Sequence, residues 1–385
     1  MNGNIRQRTP GSWTIQWYLG RDMNGKKLYK SKTIKGTKKD AQKELNHIIH
    51  ELDRGVYVEP VRMTVAEFLR RWLRDYASTS VASSTYERYV GIVEQHLIPA
   101  FGDILLHRLQ PTQIQEYYGE AQKSGMVKYT LKSGELKEGG LSACTVKQHH
   151  AVLRKALKCA VRWQLIARNV CDMVDPPRAI TQERQAYSEE EMQALVKSTD
   201  GSPFGTIILI AASTGMRLGE ILGLTWDDLD ANTGTIAVTK SLEYTKAGLK
   251  IKEPKSERGR RSIPIPANVM NRLLSYKEQQ EAHAINAGDL WVDNNLVCPD
   301  SMGCYRKPHS FSSSFRDIAK KAKVRNLGIH ALRHAHATML AKRGWQAKII
   351  QERLGHSTIA VTMDVYSHVL PTTQQEAADS ISDLF

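Results

Sequence analysis

The chain has 385 residues, 41% of them hydrophobic, which is too long for one simple core and suggests two or three domains. Lys and Arg exceed Asp and Glu by 54 to 40, a net charge of +14, so a polyanionic partner is expected and nucleic acid is the commonest one. Cys144, Cys159, Cys171, Cys298 and Cys304 form no C-x-x-C pair and read as reduced thiols, against a disulfide framework or a zinc knuckle; without a signal-peptide core or a membrane-length apolar run, a cytosolic protein with no membrane partner is expected.

SWTIQWYL, residues 12–19, alternates Trp13, Ile15, Trp17 and Leu19 with Thr14, Gln16 and Tyr18, the period of a half-buried strand. Asn24-Gly25 signals a hairpin turn, and KKLYKSKTI continues as a returning strand with an expected lysine-rich outer face. After Gly36, Ala41, Leu45, Ile48, Ile49 and Leu52 fall at helical spacing, with Gly55 as the stop. Residues 1–58 hold twelve Lys/Arg against five Asp/Glu, half of the net charge. This module, a small three-stranded sheet plus helix, is therefore expected to contact DNA, with Lys26, Lys27, Lys30 and Lys32 as candidates.

A linker with Pro60 precedes a capping box, Thr64 to Glu67, that opens a helix through Phe68, Leu69, Trp72 and Leu73. Further helices are expected in STYERYVGIVEQHLIPAFG, ended by Pro99 and Gly102, in PTQIQEYYGEAQKSG, and in LSACTVKQHHAVLRKALKCAVRWQLI. The last has Val146, Val152, Leu153, Ala156, Leu157, Ala160 and Val161 as its apolar stripe, so residues 64–175 read as an all-helical bundle. Pro176-Pro177 marks a second linker, and Ser188 to Glu191 caps the next helix. Residues 180–385 open helical, pass through TGTIAVTK and RRSIPIP as strands, and return to helices, an α+β unit; the chain as a whole is multidomain and mainly α.

This third unit concentrates basic and hydrogen-bonding groups. Arg217 follows a glycine turn in ASTGMRLGEILGLTW; IKEPKSERGRRSIPIP reads as a basic turn flanked by strands in a surface hairpin; His330 and Arg333 share one helical face in GIHALRHAHATMLAKRG. His330 and His334 have zinc-ligand spacing with His336 near, but no H-E-x-x-H is present, and no metal is expected. LGHSTIAVTMDVYSH supplies His356 and, ten residues on, Tyr366, with His368 unassigned. Around a phosphodiester these groups make sense together. Two guanidiniums donate bidentate hydrogen bonds to the charge on a phosphorane-like state, imidazole moves protons near neutral pH, a lysine can protonate a leaving 5′ oxygen, and a phenol becomes a nucleophile where cations favour the phenolate.

The ordered set STGMRLGE, the basic segment ending in SIPIP, HALRHAHAT and LGHSTIAVTMDVYSH resembles the tyrosine recombinases, the phage-integrase type of site-specific DNA recombinase. The resemblance implies a tyrosine-recombinase catalytic domain at 180–385, a helical core-site-binding domain at 64–175 and an arm-site-binding domain at 1–58. Tyr366 would form a 3′-phosphotyrosyl link, Arg217 and Arg333 would clamp the phosphate, and His330 and His356 would serve as hydrogen-bonding and proton-transfer partners. Glu220 would support the site, and Lys255, with Lys252 as the alternative, would be the lysine; Arg258, Arg260 and Arg261 would hold the DNA backbone. The link conserves the phosphodiester's energy, so no cofactor is implied. A homotetramer acting on core and arm sites through a Holliday junction is implied, with Ala377, Ala378, Ile381 and Leu384 as a tail face docked on a neighbouring protomer. A host DNA-bending protein, an excision factor and a nucleoid-associated place in a bacterial cytoplasm complete the expectation. A topoisomerase-like nicking enzyme and a regulator without catalysis are the competing readings.

Overall fold

The computed structural model describes residues 3–21, 24–53, 62–125, 129–130, 136–137, 139–179, 185–253 and 259–367, with 379 and 382; for 51, 129–130, 136–137 and 364–367 it describes the backbone alone. The chain divides into two compact units, Met1–Thr181 and Gln182–Phe385.

In the first unit, β1 (Gly3–Thr9), β2 (Ser12–Arg21) and β3 (Lys27–Lys35) form an antiparallel sheet with β2 central. Helix α1 (Lys38–Asp53) buries Ala41, Leu45 and Ile48 against Ile15 and Trp17. The register decides which lysines face outward. Lys30 pairs with Trp17 and Lys32 with Ile15, so both point to the helix side, and Lys32 Nζ meets Glu44 at 2.6 Å. The expected lysine-rich outer face is thus corrected: side chains alternate along a strand, and Lys27 cannot share a face with Lys30 and Lys32. The outer face carries Arg6, Gln16, Tyr18, Tyr29, Ser31 and Thr33, with Lys27 and Lys35 toward its two ends.

The helical part begins with α2 (Val65–Trp72), whose capping box is formed: Glu67 N–H donates to Thr64 Oγ1 at 3.2 Å and Thr64 N–H to Glu67 Oε2 at 2.8 Å. A π turn, Leu73–Ala77, leads into α3 (Ser78–Ser80), and a second, Val93–Leu97, joins α4 (Ser83–Ile92) to α5 (Ile98–Phe101). Pro99 therefore does not stop the helix. It follows directly on the π turn, whose last bond runs from Ile98 N–H to Val93 O, and Gly102 is the cap. After α6 (Pro111–Ser124), the two-residue strands β4 (Tyr129–Thr130) and β5 (Leu136–Lys137) pair, and α7 (Ala143–Arg162) closes the bundle. Phe68, Trp72, Leu97, Ile114, Leu153 and Leu157 are fully buried there, each worth about 1.5–3 kcal/mol of hydrophobic stabilisation.

The second unit opens with α8 (Glu189–Ser198), where the Ser188 and Glu191 capping box is formed, followed by α9 (Gly205–Thr214) and α10 (Leu218–Leu222). GTIILIAAST is apolar around its whole circumference, and α9 accordingly lies inside, with α8, α10, α11 (Ala267–Ala287) and α13 (His330–Lys342) packed on it. Strands β6 (Leu229–Asp230), β7 (Thr235–Val238) and β10 (Arg261–Pro264) form one sheet in the order β10-β7-β6, and β8 (Ser241–Thr245) pairs with β9 (Gly248–Lys252). The strands flanking the basic turn are therefore not a hairpin with each other. Ile263 of β10 pairs with Ile236 of β7, and Ile251 of β9 with Leu242 of β8, so separate partners claim them. Helices α12 (Pro308–Lys321), α14 (Ala347–Leu354) and α15 (Ala360–Ser367) complete the unit.

Candidate active site

Gly215 ends α9 in the left-handed conformation (φ 67°), and the chain turns so that Arg217 becomes the N-cap of α10. A Cβ at Gly215 would lie 2.5 Å from Leu354 Cδ2 and 3.0 Å from His336 Cδ2, so the turn is pressed against α13 and α14. Arg217 is 44% exposed; its Nη1 donates to Glu220 Oε1 at 2.8 Å and its Nη2 to Gly355 O at 3.3 Å. Arg333, 4% exposed on α13, is held by peptide oxygens: Nη1 donates to Gly215 O at 2.8 Å and Nη2 to Leu354 O at 2.7 Å. Burial, then the charge of Arg217, pushes its guanidinium down to about 9, so it remains charged at neutral pH.

Glu220, 5% exposed, accepts from Arg217 N–H at 2.9 Å and from Arg261 Nη2 at 2.9 Å. Burial alone would raise its carboxyl, but the hydrogen bonds and charge of Arg261, then of Arg217, hold it below the usual range. Arg261 was expected on the DNA backbone; its side chain is instead 7% exposed, bound to Glu220 and, through Nε, to Arg353 O at 2.8 Å. The expectation is corrected because a buried carboxylate needs compensating charge, and Arg261 supplies it. Arg260 does face solvent, paired with Glu253 at 2.6 Å. Lys252 pairs with Glu243 across the β8–β9 hairpin at 2.5 Å. Lys255 and Arg258 lie outside the described residues, as do His368 and the expected tail face; of Tyr366 the backbone in α15 is described and the side chain is not.

Arg217, His330, Arg333, His334 and His356 line one pocket of about 180 Å³, walled by Ala337, Leu354 and Val361. A larger cavity of about 660 Å³ opens elsewhere in the unit, by Tyr276, His283, Trp291 and Arg306, and includes none of the expected site residues. The smaller pocket gathers two guanidiniums and three imidazoles, donors of the kind that bind a backbone phosphate. Burial, then the charges of Arg333 and Arg217, pushes His356 down to about 3, which leaves the ring neutral. His330 and His334 stand edge to face, ring centroids 5.0 Å apart. His336 is turned away: its Nε2 accepts from Arg353 Nε at 3.0 Å, so Nδ1 carries the proton and donates to Ala212 O at 3.0 Å. Burial, then Arg353, pushes it down to about 4.

Two residues of this region escaped sequence reasoning. Arg353 joins three elements, donating to His336, to Pro264 O at 3.0 Å and to Ser213 O at 3.1 Å, yet in sequence it is one more basic residue in a helix. Thr362, buried beside His356, lacked any signal beyond its place between His356 and Tyr366.

Two guanidiniums with a neutral imidazole at one small recess, in a chain this basic, form a donor set suited to a phosphodiester. Comparison with known proteins makes the class specific. The phage integrase family model matches residues 186–373, and the SAM-like N-terminal domain of phage integrases matches 64–121. The ICEBs1 integrase of Bacillus subtilis is 30% identical over 251 residues, covering 65% of this chain and 68% of the relative. A XerC-like tyrosine recombinase of Caldanaerobacter subterraneus subsp. tengcongensis is 27% identical over 95% of both chains. The Tn1549 transposon integrase, solved with a circular intermediate DNA, superposes with a TM-score of 0.67 at 22% identity, over 83% of this chain and 100% of that one. Lambda integrase, solved as a tetramer bound to a Holliday junction, shares the fold with a TM-score of 0.57 at 17% identity, over 92% of this chain and 96% of that one. The chain belongs to the phage integrase family of tyrosine recombinases, enzymes that cleave and rejoin DNA.

Proposed function

We propose that the chain integrates and excises a mobile genetic element by site-specific recombination, with Tyr366 attacking the scissile phosphate and forming a 3′-phosphotyrosyl link. The observation that carries this reading is the single pocket lined by Arg217, Arg333, His330 and His356, ten residues ahead of Tyr366 on the chain. Arg333 has two of its five N–H donors on Gly215 and Leu354, which fixes the plane of the guanidinium and leaves the others for non-bridging oxygens. Arg217, half exposed and held by Glu220, which Arg261 binds in turn, closes on the phosphate. Lys255, rather than the Glu243-paired Lys252, protonates the leaving 5′ oxygen. His330 and His356 complete the hydrogen bonding. A 5′ hydroxyl then attacks the phosphotyrosine and reseals the strand, with no external energy source; two such exchanges pass through a Holliday junction in a homotetramer whose tail residues couple neighbouring protomers.

On this reading residues 1–58 bind arm sites, 64–175 bind core sites, and 180–385 carry the catalysis. The outer face of the β1–β3 sheet, with Arg6, Gln16, Tyr18 and Tyr29, offers hydrogen-bonding and aromatic groups to a groove. Lys26, Lys27, Arg258 and Arg260 contact phosphates, and accessory DNA-bending and excision factors assist. The protein works at the nucleoid; among the described residues no helix is long and apolar enough to cross a membrane.

The test is a nicked suicide substrate carrying the core site, read on a denaturing gel. Wild type is expected to form a covalent protein–DNA adduct and Tyr366→Phe none. Absence of the adduct from wild type, or its persistence in the variant, overturns the mechanism.

A further inference from the structure

The backbone of His356 is tied twice to Gln351: its N–H donates to Gln351 O at 3.1 Å, and its carbonyl accepts from Gln351 Nε2 at 3.2 Å. So anchored, the ring presents Nδ1 to Thr362 Oγ1 at 2.9 Å. Thr362 is 0% exposed and lies one helical turn before Tyr366 in α15. A hydroxyl carries one proton, and a buried one needs an acceptor. Among the described residues the Thr362 hydroxyl has no partner besides His356. Were the ring proton on Nδ1, it would donate to Oγ1 and the Thr362 proton would have no acceptor there. With Thr362 donating, both groups are satisfied and the ring's single proton sits on Nε2.

We propose that Thr362 is a positioning residue for strand cleavage: its hydroxyl, donating to Nδ1, holds His356 as the Nε2–H tautomer, so that His356 gives the phosphate a hydrogen-bond donor instead of a base. The groups around the ring agree with that assignment. Burial, and then the charges of Arg333, Arg217, His334 and Arg261, opposes a second proton on it. A neutral Nε2–H adds directional hydrogen bonding to the two guanidiniums at the same recess. No proton is transferred at His356, and the proton of the Tyr366 phenol is left to His330. This refinement rests on the proposed cleavage mechanism, yet the state of the ring can be read without DNA.

The experiment uses full-length protein labelled with ¹⁵N-histidine, with the His356 signals assigned by their loss in His356→Gln. Two-bond proton–nitrogen correlation at neutral pH is expected to give a protonated Nε2 and a bare Nδ1. Thr362→Val, which keeps the shape and removes the hydroxyl, should mix the tautomers and slow adduct formation on the suicide substrate about ten- to a hundredfold. DNA affinity should be unchanged, and Thr362→Ser should recover most of the rate. A wild-type spectrum with Nδ1 protonated overturns the proposal whatever the variants do, as does Thr362→Val cleaving at the wild-type rate. If Thr362→Val fails to fold, the wild-type spectrum and the rate of Thr362→Ser still decide. Failure of wild type to form any adduct would instead indict the mechanism itself, and the tautomer reading would stand apart.

Discussion

Glu220→Ala removes the only acidic partner that Arg261 has among the described side chains, and Arg261 cannot escape to solvent because its side chain is 7% exposed. Breaking one half of a buried ion pair costs about 3–5 kcal/mol, mainly as the penalty of the charge left behind. The Arg217 arm, 44% exposed, contributes no more than about 1 kcal/mol to that total. For a unit of this size each kcal/mol lowers Tm by about 2–4 °C, so calorimetry of the full chain should place the transition of the second unit roughly 6–20 °C lower. The decisive comparison is Glu220→Ala with Arg261→Met, which removes the stranded charge and fills its space. If the electrostatic account is right, the double variant is more stable than Glu220→Ala alone, while adduct formation stays impaired because Arg217 has lost its support. A loss under about 1 kcal/mol for Glu220→Ala, or a double variant no more stable than the single, would refute the reasoning.

Three further outcomes are expected. His149, 2% exposed, is pushed by burial and then by His96 from an ordinary 6.5 down to about 4. Its folded pKa lies below the unfolded one, so its contribution is intact above about pH 6.5 and is lost as pH falls toward 4, amounting to roughly 2–3 kcal/mol by pH 4.5; urea unfolding of His149→Gln should show a flatter acid limb than wild type. Gly215→Ala, strained at φ 67° and colliding with Leu354, should lose about 2 kcal/mol in urea unfolding and displace the carbonyl that holds Arg333, lowering cleavage even where the protein is fully folded. Deleting residues 1–58 should spare core-site cleavage and impair recombination on substrates that need arm sites; equal recombination by the truncated protein would remove the arm-site assignment.

Local signals were readable where the physics is local. Thr64 and Glu67, or Ser188 and Glu191, are three residues apart and answer each other within one helical turn, so composition and spacing suffice. The stripe of α7 was legible for the same reason. What sequence spacing left open depended on distant partners. Glu220 and Arg261 are 41 positions apart, and neither announces that the other will be buried with it. The strands around the basic turn looked like a hairpin because adjacency in sequence is the default for short strands, whereas their partners lie in β7 and β8. The two faces of β3 are separable by strand parity alone, which sets Lys27 apart from Lys30 and Lys32. Of the pocket, the residue types were apparent, and what holds them was not: Arg333 rests on carbonyls, which every residue possesses and no sequence displays.

Those carbonyls have an electrostatic consequence. Gly215 and Leu354 sit at the C-terminal ends of α9 and α14, where the helix dipoles leave partial negative charge, on the order of half an elementary charge each. Arg333 is thus stabilised by fractional charges that are fixed in place and cannot swing in as a carboxylate would. A mobile acid would compete with the incoming phosphate for the guanidinium; helix ends lower the cost of burying the cation and then stay where they are. Arg333 thus enters the pocket hydrogen-bonded to no carboxylate among the described residues, whereas Arg217 is already paired with Glu220.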